Sequence, residues 1–334
     1  MKFVIPENYV QVLGVRETQL AIKYIMDSFP KVLSEILNLT RISASLLVPT
    51  DSGFNDNLSG SERPVRFNVP SLGKSVEVVH SLAKWKRVAL QKYGFNVGEG
   101  IYTEMNAIRR DEELSNFHSI YVDQWDWERI ITKEQRSMET LIQTAKNIYE
   151  ICKQVSNELA DRFPGLRREM PNKLKIISVQ ELINKYPSST EKEREDAICR
   201  EYGAVLLTQI GNDLPNGIQH GSRAPDYDDW SMNGDLLLYY PVLDCSIEIS
   251  SMGVRVDSKA LVEQTKISKK INTLKLPYHQ AIINDELPFT VGGGIGQSRI
   301  YMYMLNKAHI GEVQASIWPE EMIKNFENEG IYLL

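Results

Sequence analysis

The sequence predicts an α+β fold, in which helices flank a mostly antiparallel β-sheet. Helical and strand-like patterns are mixed along the chain, without the regular strand–helix alternation of parallel α/β folds. The second half of the chain contains four apolar runs typical of strands, AVLLTQI, DLLLYYP, CSIEIS and EVQASIW. No linker rich in Pro, Gly or Ser divides the 334 residues. We therefore expect a single domain over 1–334, with a polar insertion at about 164–203.

The first part of the chain predicts one long helix and one strand. Apolar residues recur at helical spacing over 17–37, although Pro30 can bend or break such a run. The segment RISASLLV at 41–48 predicts a strand. The polar run TDSGFNDNLSGSERP that follows predicts a loop.

Strands and helices continue to alternate irregularly over the middle of the chain. VEVVH at 76–80 predicts a strand that leads into a helix over 81–90, with Ser81 as its N-cap. A further strand is predicted at 118–123 and a long amphipathic helix at 134–160. One more helix is predicted after the glycines at 292–294.

Composition and charge exclude several classes of protein. The chain has 42% apolar and 25% charged residues, which excludes a disordered tail, a collagen and a coiled-coil rod. Lys and Arg number 38 against 44 Asp and Glu, for a formal net charge of −6. That balance argues against a protein that coats nucleic acid or an anionic membrane. A few well-placed cations could still bind phosphate.

The cysteines and the apolar runs indicate a reduced compartment. Cys152, Cys199 and Cys245 are far apart and suggest neither a disulfide framework nor a cysteine-rich zinc site. No apolar run at the N-terminus is typical of a signal peptide, and no run approaches 18 apolar residues. We expect a cytoplasmic protein with no membrane partner.

Two arginine-containing motifs suggest phosphate binding. In GGGIGQSR at 292–299, glycines before a helix allow close approach of a phosphate, and Arg299 could reach it. A simple tight turn explains the glycines about equally well, and the pattern does not fit a P-loop. In AIRRDEE at 107–113, acidic neighbours could hold Arg109 towards a phosphate. A solvated turn of mixed charge is the alternative there.

Three carboxylates and two mixed motifs complete the candidates. Asp228, Asp235 and Glu248 lie at predicted strand ends and could hold Mg²⁺ beside a nucleotide, although Glu248 could simply face solvent. In VDQWDWER at 122–129, strand alternation separates two tryptophans from a polar face, as in a ligand pocket or an ordinary amphipathic strand. HSLAKWKR at 80–87 carries three cations that could equally be scattered over a solvated helix. We interpret none of the five histidines as a metal ligand.

The order of these motifs resembles that of a known superfamily. An arginine with an acidic pair, then strand carboxylates, then a Gly-rich segment ending in Arg299 resembles motifs 2 and 3 of class II aminoacyl-tRNA synthetases. EISSMGVR at 248–255 and HSLAKWKR are similar to runs of the aspartyl and asparaginyl enzymes. Together with NDNLSG, YVDQWDWER, RAPDYDDW and GGGIGQSR, they resemble the ammonia-dependent, A-type asparagine synthetase family over about 10–320.

That resemblance implies a fold and a reaction. The fold would be the class II catalytic sheet without an anticodon-binding domain, and the protein would be a homodimer. The reaction would make L-asparagine from L-aspartate, ammonia and ATP, with release of AMP and pyrophosphate. The aspartate β-carboxylate would attack the α-phosphate to give β-aspartyl-AMP, and ammonia would then displace AMP. No nucleic acid would take part.

The resemblance also implies roles for individual residues. Catalysis would involve Asp56, Gln124, Arg109 and Arg299. Aspartate would be bound by Lys86, Asp126, Arg255, Ser250 and Ser251. ATP would be bound by Arg109, Asp228, Asp235, Glu248, Gly294 and Arg299. The metal, Mg²⁺, would be held by Asp235 and Glu248.

Within those sets the resemblance suggests specific contacts. Lys86 and Arg255 would clamp the α-carboxylate of aspartate, and Asp56 and Asp126 would bind its ammonium group. Gln124 would orient the reacting carboxylate. We expect Asp56 to take a proton from ammonium, since ammonium is the main form at neutral pH.

One departure and two rival functions remain. Ser45 stands where the family's motif 1 strand, which forms the dimer interface, usually has proline, and Pro49 follows four residues later. A tRNA ligase for aspartate or asparagine is the nearest rival. The other is a non-catalytic class II relative that acts as a binding module, although such chains usually lose the phosphate arginines and the metal carboxylates.

Overall fold

The computed structural model describes residues 3–56, 58, 62–167, 169–211 and 220–334. Within these residues the strands are β1 (Leu39–Arg41), β2 (Leu47–Pro49), β3 (Arg66–Val69), β4 (Lys74–Val78), β5 (Gly100–Ile108), β6 (Tyr121–Ile130), β7 (Lys175–Ser178), β8 (Ala204–Thr208), β9 (Asp228–Tyr240), β10 (Cys245–Arg255) and β11 (Thr290–Gly296). The helices are α1 (Val15–Leu37), α2 (Ala83–Lys92), α3 (Met138–Arg162), α4 (Val179–Lys185), α5 (Glu191–Tyr202), α6 (Ser258–Ile267), α7 (Pro277–Ile283), α8 (Gln297–Met304) and α9 (Glu320–Asn328). Short 3-10 helices lie at Pro70–Leu72, Pro164–Leu166, Ile271–Lys275 and Ile310–Glu312.

An eight-stranded sheet forms the centre of the molecule. Its strand order is β1-β5-β6-β11-β10-β9-β8-β7, and a second sheet has the order β2-β4-β3. Only the outermost pairs of the large sheet, β1–β5 and β7–β8, are parallel among its described strands. The predicted α+β fold with a mostly antiparallel sheet is therefore confirmed.

The main core lies between this sheet and the long helices α1 and α3. These two helices pack against each other. Phe29 of α1 stacks on Trp125 of β6, with ring centroids 4.5 Å apart, and Trp127 is fully buried beside them. The predicted helix over 17–37 is confirmed. Pro30 lies inside α1 on its buried side without ending the helix.

Local hydrogen bonds explain where the elements differ from the prediction. The strand predicted at 41–48 is divided into β1 and β2, because the Ser45 hydroxyl binds the backbone of Leu47 and closes a tight turn. The helix predicted to start at Ser81 has Leu82 as its N-cap instead. The Leu82 N–H donates to Asp126, a residue distant in sequence.

Three further predictions were wrong or incomplete. EVQASIW at 312–318 is not a strand, since Glu312 ends the 3-10 turn Ile310–Glu312 and the residues at 313–318 form neither helix nor strand. The buried Glu312 carboxylate holds that turn by accepting the backbone N–H groups of Ala308 and His309. The strand predicted at 118–123 runs over 121–130 and includes the tryptophan motif. The polar stretch at 164–203 contains β7 as well as helices, and β7 extends the main sheet beside β8.

No helix in the part of the chain that the structure describes is long and apolar enough to cross a membrane.

Candidate active site

A cavity of about 400 Å³ lies over the middle strands of the large sheet and is bordered by α2 and by the start of α8. Its size is typical of a small-molecule site. It is lined by most of the predicted site residues, namely Asp56, Lys86, Arg109, Gln124, Asp126, Asp228, Glu248, Ser251, Arg255, Gly294 and Arg299. Ser250 and Asp235 lie behind this lining. The hydroxyl of Ser250 donates to the carbonyl of Gly294 at 2.9 Å.

Strand alternation in β6 positions the polar side of the cavity. Trp125 and Trp127 point into the core, whereas Gln124, Asp126 and Glu128 share the opposite face. Gln124 and Asp126 line the cavity, and Glu128 is fully buried below it. The pocket interpretation of this motif is therefore the one that the geometry supports.

The glycines of β11 provide space for these side chains. They lie in a strand paired with β6 and β10, not in the turn that the sequence suggested. A Cβ on Gly292 would lie 1.9 Å from Oε2 of Glu128, and one on Gly294 would lie 2.6 Å from Oε1 of Gln124. Gly292 therefore requires glycine, because the buried pair of Glu128 and Arg255 fills that space, whereas a side chain at 294 would displace the end of Gln124.

A buried ion-pair cluster forms the floor of the cavity around Arg255. The Arg255 guanidinium donates to both carboxylate oxygens of Glu128, at 2.7 to 3.1 Å, and to Oδ1 of Asp228. Thr290 also donates to Glu128, at 2.7 Å. The carboxylate of Asp228, which was predicted to bind ATP, is thus held by Arg255, which was predicted to bind aspartate.

Burial and pairing oppose each other in this cluster. Burial raises the pKa of Asp228, and Arg255 only partly offsets the rise. Burial would also raise the pKa of Glu128, but the guanidinium of Arg255 outweighs it and the net shift is downward. The pKa of Arg255 itself is raised, since the two carboxylates outweigh its burial. The cluster therefore keeps Arg255 charged and fixed in orientation.

The three cations of HSLAKWKR, Lys84, Lys86 and Arg87, are all buried, so the alternative that they are scattered over a solvated helix was wrong. The ammonium of Lys86 pairs with Asp126 and also donates to the carbonyl oxygens of Trp127 and Gly293, at 2.8 and 3.0 Å. Burial lowers the pKa of Lys86 even though Asp126 opposes the shift. Lys84 pairs with Asp226 at 2.6 Å, outside the cavity.

Asp56 lies at the side of the cavity in a local hydrogen-bond network. Its Oδ1 accepts the N–H of Leu58 at 2.8 Å, and its Oδ2 accepts the hydroxyl of Ser81 at 2.9 Å. The imidazole of His80 lies 3.0 Å from the carbonyl oxygen of Asp56. These contacts fix the carboxylate in the loop that follows β2, where the sequence predicted a loop.

Two arginines lie at the other end of the cavity, each beside a glutamate. Arg109 follows β5 directly and lies 3.8 Å from the Glu112 carboxylate, and its buried Nε has no hydrogen-bond partner in the described part of the chain. Arg299 lies in the first turn of α8, 3.6 Å from a carboxylate oxygen of Glu248. A buried guanidinium N–H without an acceptor is a donor available to an anion.

His118 orients Arg299. A guanidinium can only donate, so Nε2 of His118 accepts from Arg299 at 3.0 Å and Nδ1 carries the proton that faces Ser115 at 2.7 Å. Burial, together with the charge of Arg299, lowers the pKa of His118 to about 3. The imidazole is therefore neutral at physiological pH and serves as an acceptor.

Asp235 and Glu248 lie on the neighbouring strands β9 and β10. Burial raises the pKa of Asp235 to about 6, although Arg223 opposes the shift, and the charge of Glu248 adds to the rise. Arg299 and Arg223 outweigh the partial burial of Glu248, so its pKa is lowered. Arg223 pairs with Asp235 and lines the cavity in front of it. Oδ1 of Asp235 is buried and has no hydrogen-bond partner among the described residues.

These two carboxylates fit a divalent cation of the magnesium type. They offer hard oxygen ligands, and the unpartnered oxygen of Asp235 is an acceptor that a cation would satisfy. A different group of three, Glu191, Glu195 and His220, has ligand atoms within 4.8 Å of one another in the described part of the chain. None of these three lines the cavity.

Sequence reasoning missed several residues at the site. Glu128 and Arg223 lie in the motifs VDQWDWER and RAPDYDDW but were given no role of their own, because their partners Arg255 and Asp235 could not be identified from the sequence. His118 lies outside the motifs, and its partner Arg299 is 181 positions away. Asp123 was also missed. It accepts the backbone N–H and the hydroxyl of Ser298 at the start of α8, and only the helix that follows the glycines could have suggested this contact.

Sequence comparisons connect the chain to one family over nearly its full length. A family model described as aspartate-ammonia ligase matches residues 16–330. The chain is 52% identical over 334 residues to a protein of Clostridium perfringens (strain SM101 / Type A) named aspartate--ammonia ligase, covering 100% of this chain and 99% of that protein. A protein of the same name from Levilactobacillus brevis is 52% identical over 335 residues and is covered completely.

Solved structures with a similar fold are class II aminoacyl-tRNA synthetases. The asparaginyl-tRNA synthetase of Pyrococcus horikoshii complexed with asparaginyl-adenylate has a TM-score of 0.67 and 12% identity, over 91% of this chain and 70% of that chain. The Entamoeba histolytica asparaginyl-tRNA synthetase in complex with asparaginyl-adenylate has a TM-score of 0.64 and 13% identity. The match covers 90% of this chain and 66% of that one, so the chain spans just under two thirds of that synthetase.

Proposed function

Since the chain belongs to the aspartate–ammonia ligase family, we propose that the cavity over its large sheet is where the three substrates meet. The enzyme makes L-asparagine from L-aspartate and ammonia in an ATP-dependent reaction. One observation carries the placement of this reaction. A single cavity has one end where carboxylates surround Lys86 and Arg255, and another where Arg109 and Arg299 lie beside Glu112 and Glu248.

The carboxylate-rich end suits the amino acid. Arg255 is fixed by Glu128 and Asp228, so its guanidinium can meet the α-carboxylate of aspartate without reorganising. Asp56 and Asp126 supply negative charge for the ammonium group of aspartate. Lys86 holds Asp126 in place, and its ammonium adds positive charge beside the α-carboxylate of the substrate. Aspartate would therefore replace some of the ion pairs of an existing network with ion pairs of its own.

The arginine end suits the phosphates of ATP. The free Nε of Arg109 and the guanidinium of Arg299, aimed by His118, would bind the phosphate oxygens. Asp235 and Glu248 would hold Mg²⁺, which when bound neutralises phosphate charge. These side chains position ATP so that the β-carboxylate of aspartate, oriented by Gln124, attacks the α-phosphate and releases pyrophosphate.

The amide-forming step needs a group that takes a proton. Ammonium is the main form in solution at neutral pH and must lose a proton before it can attack an acyl carbon. Asp56 is the carboxylate we assign to this role, because Leu58 and Ser81 fix it at the cavity wall. Ammonia then attacks the β-aspartyl carbon and AMP leaves.

The rival functions are not favoured. The relatives at 52% identity over the whole chain carry the ligase name, whereas the synthetase structures are 12 to 13% identical and indicate the fold alone. A non-catalytic role is also disfavoured, because Arg109, Arg299, Asp235 and Glu248 are all present.

Product analysis tests the proposed reaction. Purified protein is incubated with aspartate, ATP, Mg²⁺ and ammonium, and the products are separated by chromatography. Asparagine formed together with AMP and pyrophosphate is the expected result. ADP in place of AMP would indicate an acyl-phosphate ligase, and a strict requirement for tRNA would indicate a tRNA ligase. Either result would contradict the β-aspartyl-AMP route.

We also propose a homodimer in the cytoplasm. Three free thiols, Cys152, Cys199 and Cys245, are consistent with a reducing compartment. Helix α1 exposes Leu20, Met26 and other apolar side chains beside β1, an edge strand of the large sheet. An apolar surface at a sheet edge is a suitable contact for a second copy of the chain.

A further inference from the structure

Arg223 lies between the cavity and Asp235, one of the two carboxylates that we propose hold the metal ion. Its guanidinium NH2 group pairs with Oδ2 of Asp235. Arg223 lines the cavity and Asp235 does not. The arginine therefore covers the carboxylate that a divalent cation would need to reach from the nucleotide side.

The position of Arg223 matches the electrostatic requirement of a cation site. Asp235 and Glu248 lie on adjacent strands, with a bulge in β10 just after Glu248, and their negative charges act on each other. Arg223 interacts electrostatically with both of them. Its single positive charge offsets the repulsion between two carboxylates, which is also what a divalent cation between them would do.

Arg223 and a metal ion would repel each other at Asp235, because the guanidinium pairs with Oδ2 and a metal would bind the adjacent Oδ1, which has no partner among the described residues. Mg²⁺ binds carboxylate oxygens at about 2.0–2.1 Å, and it would repel a guanidinium that donates to the same group. The arginine can release Asp235, because among the described residues its Nε has no hydrogen-bond partner and its NH1 donates to the carbonyl of Ser222 at 3.3 Å. Its donors could then bind phosphate oxygens.

We propose that the guanidinium of Arg223 takes the place of the divalent cation beside Asp235 while no metal is bound. Arg223 competes with the metal for Asp235, and it moves to the phosphates when metal-bound ATP enters. This inference rests on the proposed function, since it assumes that ATP and its metal bind in this cavity. It adds an order of events. The metal binds with the nucleotide, because the phosphates offer Arg223 a partner in place of Asp235.

Metal binding without nucleotide tests the competition directly. Mn²⁺ is titrated into the full-length protein, and free Mn²⁺ is measured by electron paramagnetic resonance. R223M removes the competing charge, so we expect it to bind Mn²⁺ about ten-fold more tightly than the wild type, and to bind Mn²⁺–ATP several-fold more weakly. R223K keeps the charge, and R110M alters a neighbour of Arg109 that is exposed. Both should bind Mn²⁺ alone as the wild type does.

A second substitution identifies the ligand that Arg223 covers. In the double variant R223M/D235N the gain in Mn²⁺ affinity should disappear. Unchanged Mn²⁺ affinity in R223M, or a gain that persists in the double variant, would overturn the inference. Thermal unfolding checks that each variant is folded, and R223Q repeats the test should R223M not fold.

One outcome concerns the proposed function instead. If the wild type does not bind Mn²⁺–ATP at all, the placement of ATP in the cavity is wrong. The competition is then judged from the Mn²⁺ titrations of the wild type and R223M without nucleotide. The two failures are therefore distinguishable.

Discussion

Asp56 is a carboxylate whose two oxygens are both held by hydrogen bonds, from Leu58 and Ser81. That arrangement fixes its position at the cavity wall without an ion pair to a cationic side chain among the described contacts. A fixed carboxylate that faces a reaction cavity is suited to accept a proton. The assignment is specific to the second half of the reaction, because formation of the adenylate requires no proton transfer from ammonium.

The first prediction separates the two half-reactions by changing Asp56 to Asn. D56N keeps the size of the side chain but removes the basic oxygen. We expect asparagine formation to fall about 100-fold or more, with a much smaller loss in aspartate-dependent pyrophosphate exchange. S81A is the matched control, since it removes one hydrogen bond to Asp56 and should reduce both activities only mildly. Equal losses in D56N would reject the role.

The sequence located individual site residues better than it identified their partners. Arg109, Arg299 and Glu248 belong to compact motifs, and all three line the cavity. Glu128 and Arg255 are 127 positions apart, and a pair so distant leaves no local pattern. The spacing of a motif can therefore suggest a functional residue, whereas its supporting contacts depend on how the strands are ordered.

At the scale of elements, β11 shows how a strand can be shaped by its neighbours. Its glycines pair with β6 and β10 along both edges, and side chains from those strands occupy the space where Cβ atoms would be. From the sequence, the same glycines suggested a turn near a phosphate. A glycine in a sequence shows that the position has no side chain. It does not show whether a turn, a ligand or a neighbouring side chain is the reason.

The second prediction compares two glycines of this strand. In G292A the new Cβ would lie 1.9 Å from Glu128, so the pair between Glu128 and Arg255 must shift. We expect a loss of about 3 kcal/mol or more in the free energy of unfolding and loss of most activity. G296A is the control for stability, because its Cβ would meet Arg299 at an ordinary 3.5 Å. Urea unfolding that shows equal stability for both variants would contradict this account.

The third prediction concerns the 3-10 turn at Ile310–Glu312. Nδ1 of His309 accepts the N–H of Gly311 at 3.0 Å, and burial lowers the pKa of His309 from 6.5 to about 4. Between these two values the unfolded chain binds a proton that the folded state does not. The free energy of unfolding should therefore fall as the pH drops from 6.5 towards 4, by up to about 1.4 kcal/mol per pH unit.

Urea unfolding of the wild type and H309N at several pH values measures this contribution. H309N cannot titrate, so its stability should depend less on pH in that window, even if the variant is less stable throughout. Identical slopes for the two proteins would contradict the assignment. Above pH 6.5 both states of the wild type hold a neutral imidazole, and we expect no contribution from His309 there.

Secondary structure was predictable where one pattern extends over many residues. The 23 residues of α1 carry enough helical periodicity to outweigh Pro30. The short runs at 41–48 and 312–318 were misjudged, because a single side chain binds backbone groups within the first run, through Ser45, and just before the second, through Glu312. A capture of this kind depends on one hydrogen bond and leaves the apolar pattern unchanged.

At the scale of the whole molecule, the exposed face of α1 bears on assembly. Leu20, Met26 and Ile36 are 58%, 45% and 41% exposed, and they lie on the helix that leads into the edge strand β1. Exposed apolar residues that share an element with a sheet edge are suited to a dimer contact. The Ser45 turn then forms the end of that edge.

The fourth prediction tests the homodimer by analytical ultracentrifugation. The wild type should sediment with about twice the 38.2 kDa mass of one chain. The double variant L20E/M26E should sediment as a single chain, because two buried carboxylates would destabilise an apolar interface. V97E is the control, since Val97 is equally exposed but lies outside α1. A monomeric wild type would reject the proposal.

The buried ion pairs at the floor of the cavity determine how substrate binding should depend on ionic strength. Lys86 and Arg255 lie in ion pairs that exclude water, and dissolved potassium and chloride screen such pairs far less than exposed charges. We therefore expect the proposed aspartate end to tolerate concentrated salt, so that the aspartate concentration at half-saturation changes little as potassium chloride is added. The carboxylate of Glu248 is half-exposed, so dissolved ions screen it more strongly. Added salt should therefore weaken the binding of the nucleotide before it weakens the binding of aspartate.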